Sequence, residues 1–299
     1  MPRERDDART PNSRRIQDDE FAIEDDAPAA LVQQAVETLR AGYSWIRALE
    51  LRHPGWRLAE VTGTPFVALR KKLADCRVAL VSFAGVYRKG QKPFSISPGL
   101  VPAELRRMRF KDCGDWSVRE IPKDCDPLEL EVAHAHYDHA EAQEDINCIF
   151  PLTRLVELEL DGYIGECAER HYSLMGYVPV VARIVESVRQ KIIPALERLK
   201  VDAVLVSGGC ELSHQSAGLA QRAIEAAGIA TVAVSVCRDI TERLRVPRAV
   251  ALRFPLGNPF GAPLDHPTQS RILRDALSLL ETARNPGEIV GLPYDWIKT

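Results

Sequence analysis

The sequence predicts an α/β fold on a doubly wound, mainly parallel sheet, an architecture that two similar lobes would also satisfy. Apolar, β-branched runs of strand length stand at residues 76–83 (CRVALVSF), 201–206 (VDAVLV) and 229–236 (IATVAVSV). A helical segment separates the last two runs, and small-residue loops follow the first two, as strand–helix–strand units require.

Residues 1–26 hold nine acids and five arginines, too charged to offset ordering entropy, and are expected to form a disordered tail. Leu31, Val32, Ala35, Leu39, Tyr43 and Ile46 fit one amphipathic helix that ends before His53-Pro54-Gly55. The strand at 76–83 opens into Ala84-Gly85 and a basic loop through Lys92-Pro93. Val181, Ile184, Val185, Val188, Ile192, Leu196 and Leu199 recur at helical spacing, with Pro194 kinking or restarting that helix. After the strand at 201–206 comes a loop at 207–212, then a helix at 213–227 with Ser213 as N-cap and Gly228 as C′. The strand at 229–236 closes a right-handed crossover, 249–254 extends the sheet, and 268–284 forms the last helix. The domain reading is a first lobe at 27–175 and a second at 176–299 that carries the Cys210 loop.

The chain carries a net charge of −3 and its first 26 residues −4, so the body stands at +1, which gives no electrostatic case for nucleic acid or an anionic membrane. No apolar run approaches the roughly 18–20 residues of a membrane span, and the polar start lacks a secretory signal. The chain is read as cytoplasmic. Its seven cysteines, Cys76, Cys113, Cys125, Cys148, Cys167, Cys210 and Cys237, include no C-x-x-C pair, so neither a disulfide framework nor a thiolate zinc site is indicated. A homo-oligomer is expected, with the helical segment 30–50 as a dimer face.

Ligands of parallel sheets bind beyond the carboxyl ends of the strands, where Ser207, Gly208, Gly209 and Cys210 fall. The glycines allow close backbone approach, and the following helix N-terminus is expected to favour the Cys210 thiolate. His214 is a possible base, or a solvent-facing residue on the first helical turn. Residues 134–139 read His-Ala-His-Tyr-Asp-His, an H-x-H-x-D-H match to metallo-β-lactamase-fold hydrolases. At a strand end His134 and His136 would share a face, but no downstream ligands support a metal, and polar lining of an active site is the alternative. Asp115, Ser117 and Arg119 alternate along a predicted strand, where Arg119 suits a substrate carboxylate, or an ordinary salt bridge. No cofactor is indicated.

Seven blocks in order carry a family resemblance: VALVSFAGVYRKGQKPF, GDWSVREIP, HAHYDHAEAQEDINCIFPLTRLVELELDGYIG, ERHYSLMGY, VDAVLVSGGC, QRAIEAAGIATVAVS and FPLGNPFGAP. Over roughly residues 76–283 the chain resembles the selenoprotein B family of glycine, sarcosine, betaine and D-proline reductases, with HYSLMGY closest to the D-proline branch. The resemblance implies cleavage of a carbon–heteroatom bond (C–N or C–S) by a chalcogen nucleophile, whose place Cys210 occupies, within a multi-component assembly. Serine stands at 213 where a C-x-x-C resolving thiol would be, so reduction needs Cys113 or Cys237 nearby, or an external thiol donor or partner reductase subunit.

A non-redox alternative has Cys210 attack a thiocarbonyl heterocycle such as a thiohydantoin acid and release sulfide. Asp115, His136, Asp138 and Asp145 are then candidates for proton transfer, and Tyr137, Ser117 and Arg119 for binding. Two-thiol racemisation is disfavoured, because the loop Phe83-Ala84-Gly85 holds no cysteine.

Overall fold

A computed structural model of the chain describes residues 29–95 and 114–296. The predicted tail at 1–26 and Cys113 lie outside the described residues. The first helix proves to be two, α1 (Ala29–Ala41) and α2 (Trp45–Arg52), because Tyr43 turns left-handed at φ 55° just after Gly42. Next come β1 (Arg77–Phe83), β2 (Val86–Arg88), β3 (Arg119–Pro122), β4 (Leu130–Val132), α3 (Ala140–Glu144), α4 (Leu152–Leu160), β5 (Glu166–Cys167) and β6 (Arg170–Ser173).

The helix predicted around Pro194 divides into α5 (Val181–Ser187), a π-turn at Val188–Ile192 and α6 (Ile193–Arg198). Proline lacks the N–H that would continue the ladder, and the wider turn before it accommodates its ring. Then follow β7 (Ala203–Gly208), α7 (Glu211–Ala226), β8 (Ala230–Ser235), α8 (Arg238–Arg243), β9 (Arg248–Ala251), α9 (His266–Thr282) and β10 (Glu288–Gly291).

The main sheet runs β10-β9-β8-β7-β1-β6-β3, with β5 also on β1, and every pairing is parallel except β3 with β6. Strands on both sides of the 175/176 boundary share this one sheet. From β1 the chain moves outward to β6, then returns to β7 on the other side of β1, where Val78↔Ala203 through Phe83↔Gly208 pair. The winding direction therefore reverses between β1 and β7, and the crevice beyond their carboxyl ends is where such sheets bind ligands. Strands β7, β8 and β9 are buried along their whole length, which is why they read as unbroken apolar runs. Helix α7 packs on β7 and β8, and α9 on β8, β9 and α4.

The coil between α2 and β1 is strapped to this core by a fully buried ion pair. Glu225 accepts from Arg248 at 2.7 Å, from the Val67 amide at 2.7 Å and from the Thr231 hydroxyl at 2.5 Å. Arg248 also donates to the Val67 carbonyl at 2.7 Å and stacks over Phe66 at 4.2 Å.

Buried His171 of β6 accepts the Leu80 amide on Nδ1 at 3.0 Å, so only its neutral form fits; burial first, then Lys123, lowers its pKa to about 3. Burial likewise holds His214 at about 4. Both values fall below the unfolded imidazole's, so this stability is present above about pH 6.5 and is lost as pH falls toward 4 and then 3. Unfolding free energies from urea titration are expected to drop from pH 6.5 downward, by up to about 1.4 kcal/mol per pH unit for each imidazole. A flat profile between pH 6.5 and 4 would contradict this assignment. Among the described residues no helix is long and apolar enough to cross a membrane.

Candidate active site

Cys210 is the N-cap of α7, one turn earlier than the predicted cap Ser213, which instead occupies N3 of a reciprocal capping box. The Ser213 amide donates to Cys210 Sγ at 3.4 Å, and the Cys210 amide donates to Ser213 Oγ at 2.6 Å. The turn is locked to its neighbours: the Gly209 amide donates to the Phe83 carbonyl of β1 at 3.2 Å, and the Gly257 amide to the Gly209 carbonyl at 2.9 Å. Ser207 is buried beneath it, and its hydroxyl meets that of its register partner Ser82 at 3.4 Å.

The glycines work by close approach. A Cβ on Gly209 would sit 2.5 Å from the Tyr137 ring, and one on Gly208 would meet the His214 backbone at 3.0 Å. Tyr137 is buried over Gly209, with its hydroxyl donating to the Ala84 carbonyl at 2.7 Å. Gly209→Ala is therefore expected to cost about 1–3 kcal/mol of stability, because the pinned ring cannot yield freely. Thermal melts check it, and an unchanged Tm would contradict it.

Cys210 has no solvent exposure, and its thiol is pushed up to about 12, first by burial and then by Glu211. The expected low-pKa thiolate is thus overturned for this closed site: hydrogen bonds from the Ser213 side chain and from the Ser213 and Leu212 amides at a helix N-terminus do not offset full desolvation. Glu211 is itself buried and paired to Arg40 of α1 at 2.5 Å, which ties α1 to the first turn of α7. His214 is also buried, contrary to its solvent-facing option. Its Nε2 accepts the Val236 amide at 3.2 Å, so Nδ1 carries the proton and donates to the Cys210 carbonyl at 2.7 Å.

The histidine run leaves the end of β4 through coil and a bend, so the shared strand face predicted for His134 and His136 does not form, and their rings meet edge to face at 5.6 Å instead. His134 Nδ1 accepts the His136 amide at 3.0 Å, and its ring lies 4.6 Å from that of Tyr137. His136 stacks on Tyr177 at 3.4 Å, and burial, Arg52 and Arg40 hold its pKa at about 3. Among the described residues no group of three or more His, Cys, Asp or Glu side chains is placed to hold a metal ion.

The remaining predicted residues lie elsewhere. Asp138 is exposed and accepts the Ala140 amide at 3.0 Å. Asp145 accepts from Asn147, the Leu264 amide and Gln269, and although burial opposes ionisation these bonds hold its pKa below the usual value. Asp115, Ser117 and Arg119 do meet, although β3 starts only at Arg119: Asp115 accepts from the Ser117 amide and hydroxyl, and Arg119 donates to Ser117 Oγ at 2.8 Å. With Gln91 and Lys92 they line an open cavity of about 530 Å³ that includes none of the residues of the Cys210 turn. Arg40 escaped sequence reasoning as a neighbour of the Cys210 turn, since only the fold brings α1 to the start of α7, whereas Cys237, one of the two thiols the redox reading required, follows the strand next to that of Cys210.

Known proteins share this layout in sequence. Residues 58–208 match the family model of the glycine/sarcosine/betaine reductase selenoprotein B, a match that ends just before Gly209 and Cys210. The chain is 34% identical over 227 residues to the D-proline reductase subunit gamma of Acetoanaerobium sticklandii, covering 76% of this chain and 87% of that protein. It is 27% identical to glycine reductase complex component B subunit gamma of Carboxydothermus hydrogenoformans, over 71% of this chain and 47% of that protein. The same subunit of Symbiobacterium thermophilum is also 27% identical, over 71% and 48%. The chain thus matches about half the length of these glycine reductase subunits. No solved structure matches it. With a matching family model over half its length and this D-proline reductase relative, the chain belongs to the glycine/sarcosine/betaine reductase selenoprotein B family.

Proposed function

We propose that the chain is the thiol-bearing subunit of a reductase that cleaves a carbon–heteroatom bond, C–N or C–S, in a small carboxylated substrate, with Cys210 as nucleophile. The observation that carries this reading is the position of Cys210, N-cap of α7 beyond the carboxyl ends of the two strands at which the winding reverses. The names of its relatives, subunits of D-proline and glycine reductases, support the reaction class.

The thiol rests protonated, and the reaction begins with opening of the site. Burial holds Cys210 at about 12, so the thiol does not ionise in the closed site. Admission of substrate and water relaxes the thiol toward its ordinary value. The amides at the start of α7 then stabilise the thiolate. The Arg40–Glu211 pair and the Tyr137 ring are the contacts that must give.

The test is an assay of the protein, purified with whatever subunits accompany it, on D-proline with a dithiol reductant. Substrate-dependent consumption of the reductant is expected, and it is lost in Cys210→Ser. Cleavage that proceeds with no reductant present would replace this reading with the non-redox, hydrolytic alternative.

A further inference from the structure

Cys237 holds on β8 the place that Cys210 holds on β7. The register pairs Ser207 with Val234, and each cysteine follows its member of that pair by three residues. Each also stands at the N-cap position of the helix that leaves its strand, α7 for Cys210 and α8 for Cys237, although only Cys210 makes a side-chain cap bond, and neither has any solvent exposure. The two turns are joined by His214, which spans the Cys210 carbonyl and the Val236 amide. The Cys237 amide is fixed on the Ser235 hydroxyl at 3.1 Å. A negative charge on Cys210 is among the influences that raise the Cys237 thiol, after burial, Glu211 and Asp239, so the two sulfurs sense each other.

A cleft opens beside the Cys237 turn. It has a volume of about 1010 Å³, and Val236 and Arg238, the neighbours of Cys237, line it together with Tyr43, Trp45, Arg253 and Trp296.

We propose that Cys210 and Cys237 form a reversible dithiol–disulfide pair, with Cys237 as the resolving thiol that the sequence lacks at position 213. The inference rests on the reading of Cys210 as nucleophile. In the first step the Cys210 sulfur bonds to substrate carbon as the carbon–heteroatom bond breaks, and the heteroatom leaves with the electron pair and takes a proton. The Cys237 thiolate then attacks the Cys210 sulfur, so the S–S bond forms as the C–S bond breaks. That electron pair passes to the carbon, is held as the enolate of the adjacent carboxyl group, and is protonated. Two thiols become one disulfide, and two electrons and two protons enter the substrate bond. An external dithiol, a small molecule or a thiol protein bound in the cleft beside Cys237, returns the pair to the reduced state.

The experiment uses the full chain and no substrate. The native protein is oxidised with stoichiometric diamide, its remaining thiols are alkylated, and its peptides are mapped by mass spectrometry. The expected result is a dominant Cys210–Cys237 linkage that dithiothreitol reverses. Both cysteines recovered as free thiols, or linked to other cysteines, would overturn the pairing. In Cys237→Ser a mixed disulfide placed on Cys210 by an aromatic disulfide reagent is expected to persist, whereas the wild type releases it as the internal bond forms; persistence in both would also overturn the proposal. Because the wild-type arm needs no variant, a misfolded Cys237→Ser leaves the test intact. Undiminished turnover by Cys210→Ser would instead sink the nucleophile reading, whatever the linkage.

Discussion

Cys210→Ser is expected to lower turnover by about 10³-fold or more, because a serine hydroxyl is far more basic than a thiol and cannot be ionised at this helix terminus near neutral pH. The fold should survive the change. Serine can reproduce the N-cap bond to the Ser213 amide, at which serine is a better cap than cysteine, so the loss would fall on kcat and not on Tm. Steady-state rates and thermal melts of the same preparation separate the two. Loss of both together would make Cys210 a packing residue, and retention of both would remove it from the chemistry.

The largest expected loss of stability comes from the opposite end of α7. Glu225→Ala leaves the Arg248 guanidinium fully buried without its carboxylate, and also strips acceptors from the Val67 amide and the Thr231 hydroxyl. An uncompensated buried charge costs roughly 3–5 kcal/mol, which is a large part of a domain's whole stability. Replacing both partners, as in Glu225→Leu with Arg248→Met, is expected to recover most of that loss, since the stranded charge is gone. Urea denaturation of the two single variants and the double variant checks it. A cost below about 1 kcal/mol for Glu225→Ala would mean that water reaches Arg248.

What the sequence makes legible here follows from the range of the forces involved. β7 and β8 are short, wholly buried parallel strands, β1 is buried from Val78 to Phe83, and Gly228 at φ 95° ends α7, so local pattern suffices to find them. The break between α1 and α2 is carried by the backbone of Tyr43, a residue type that seldom turns left-handed, and the pattern of apolar residues runs straight across it. Cys210 was legible as a strand-end thiol. Its sealing was not, because Tyr137 and Arg40 come from remote parts of the chain to pack on its neighbours Gly209 and Glu211. Such long-range packing decides the thiol's proton affinity, and so the helix terminus, the one influence visible locally, pointed the wrong way. The approach of Cys237 likewise depends on β8 lying beside β7 in a particular register.

The most direct test of Cys210 as the reacting group is to quench the protein during turnover of a carboxylated substrate and to map substrate-derived mass on its peptides. The account predicts a thioether at residue 210, more abundant when the reductant is withheld and absent from Cys210→Ser. Substrate consumed with residue 210 unmodified, or an adduct found only on another cysteine, would contradict it.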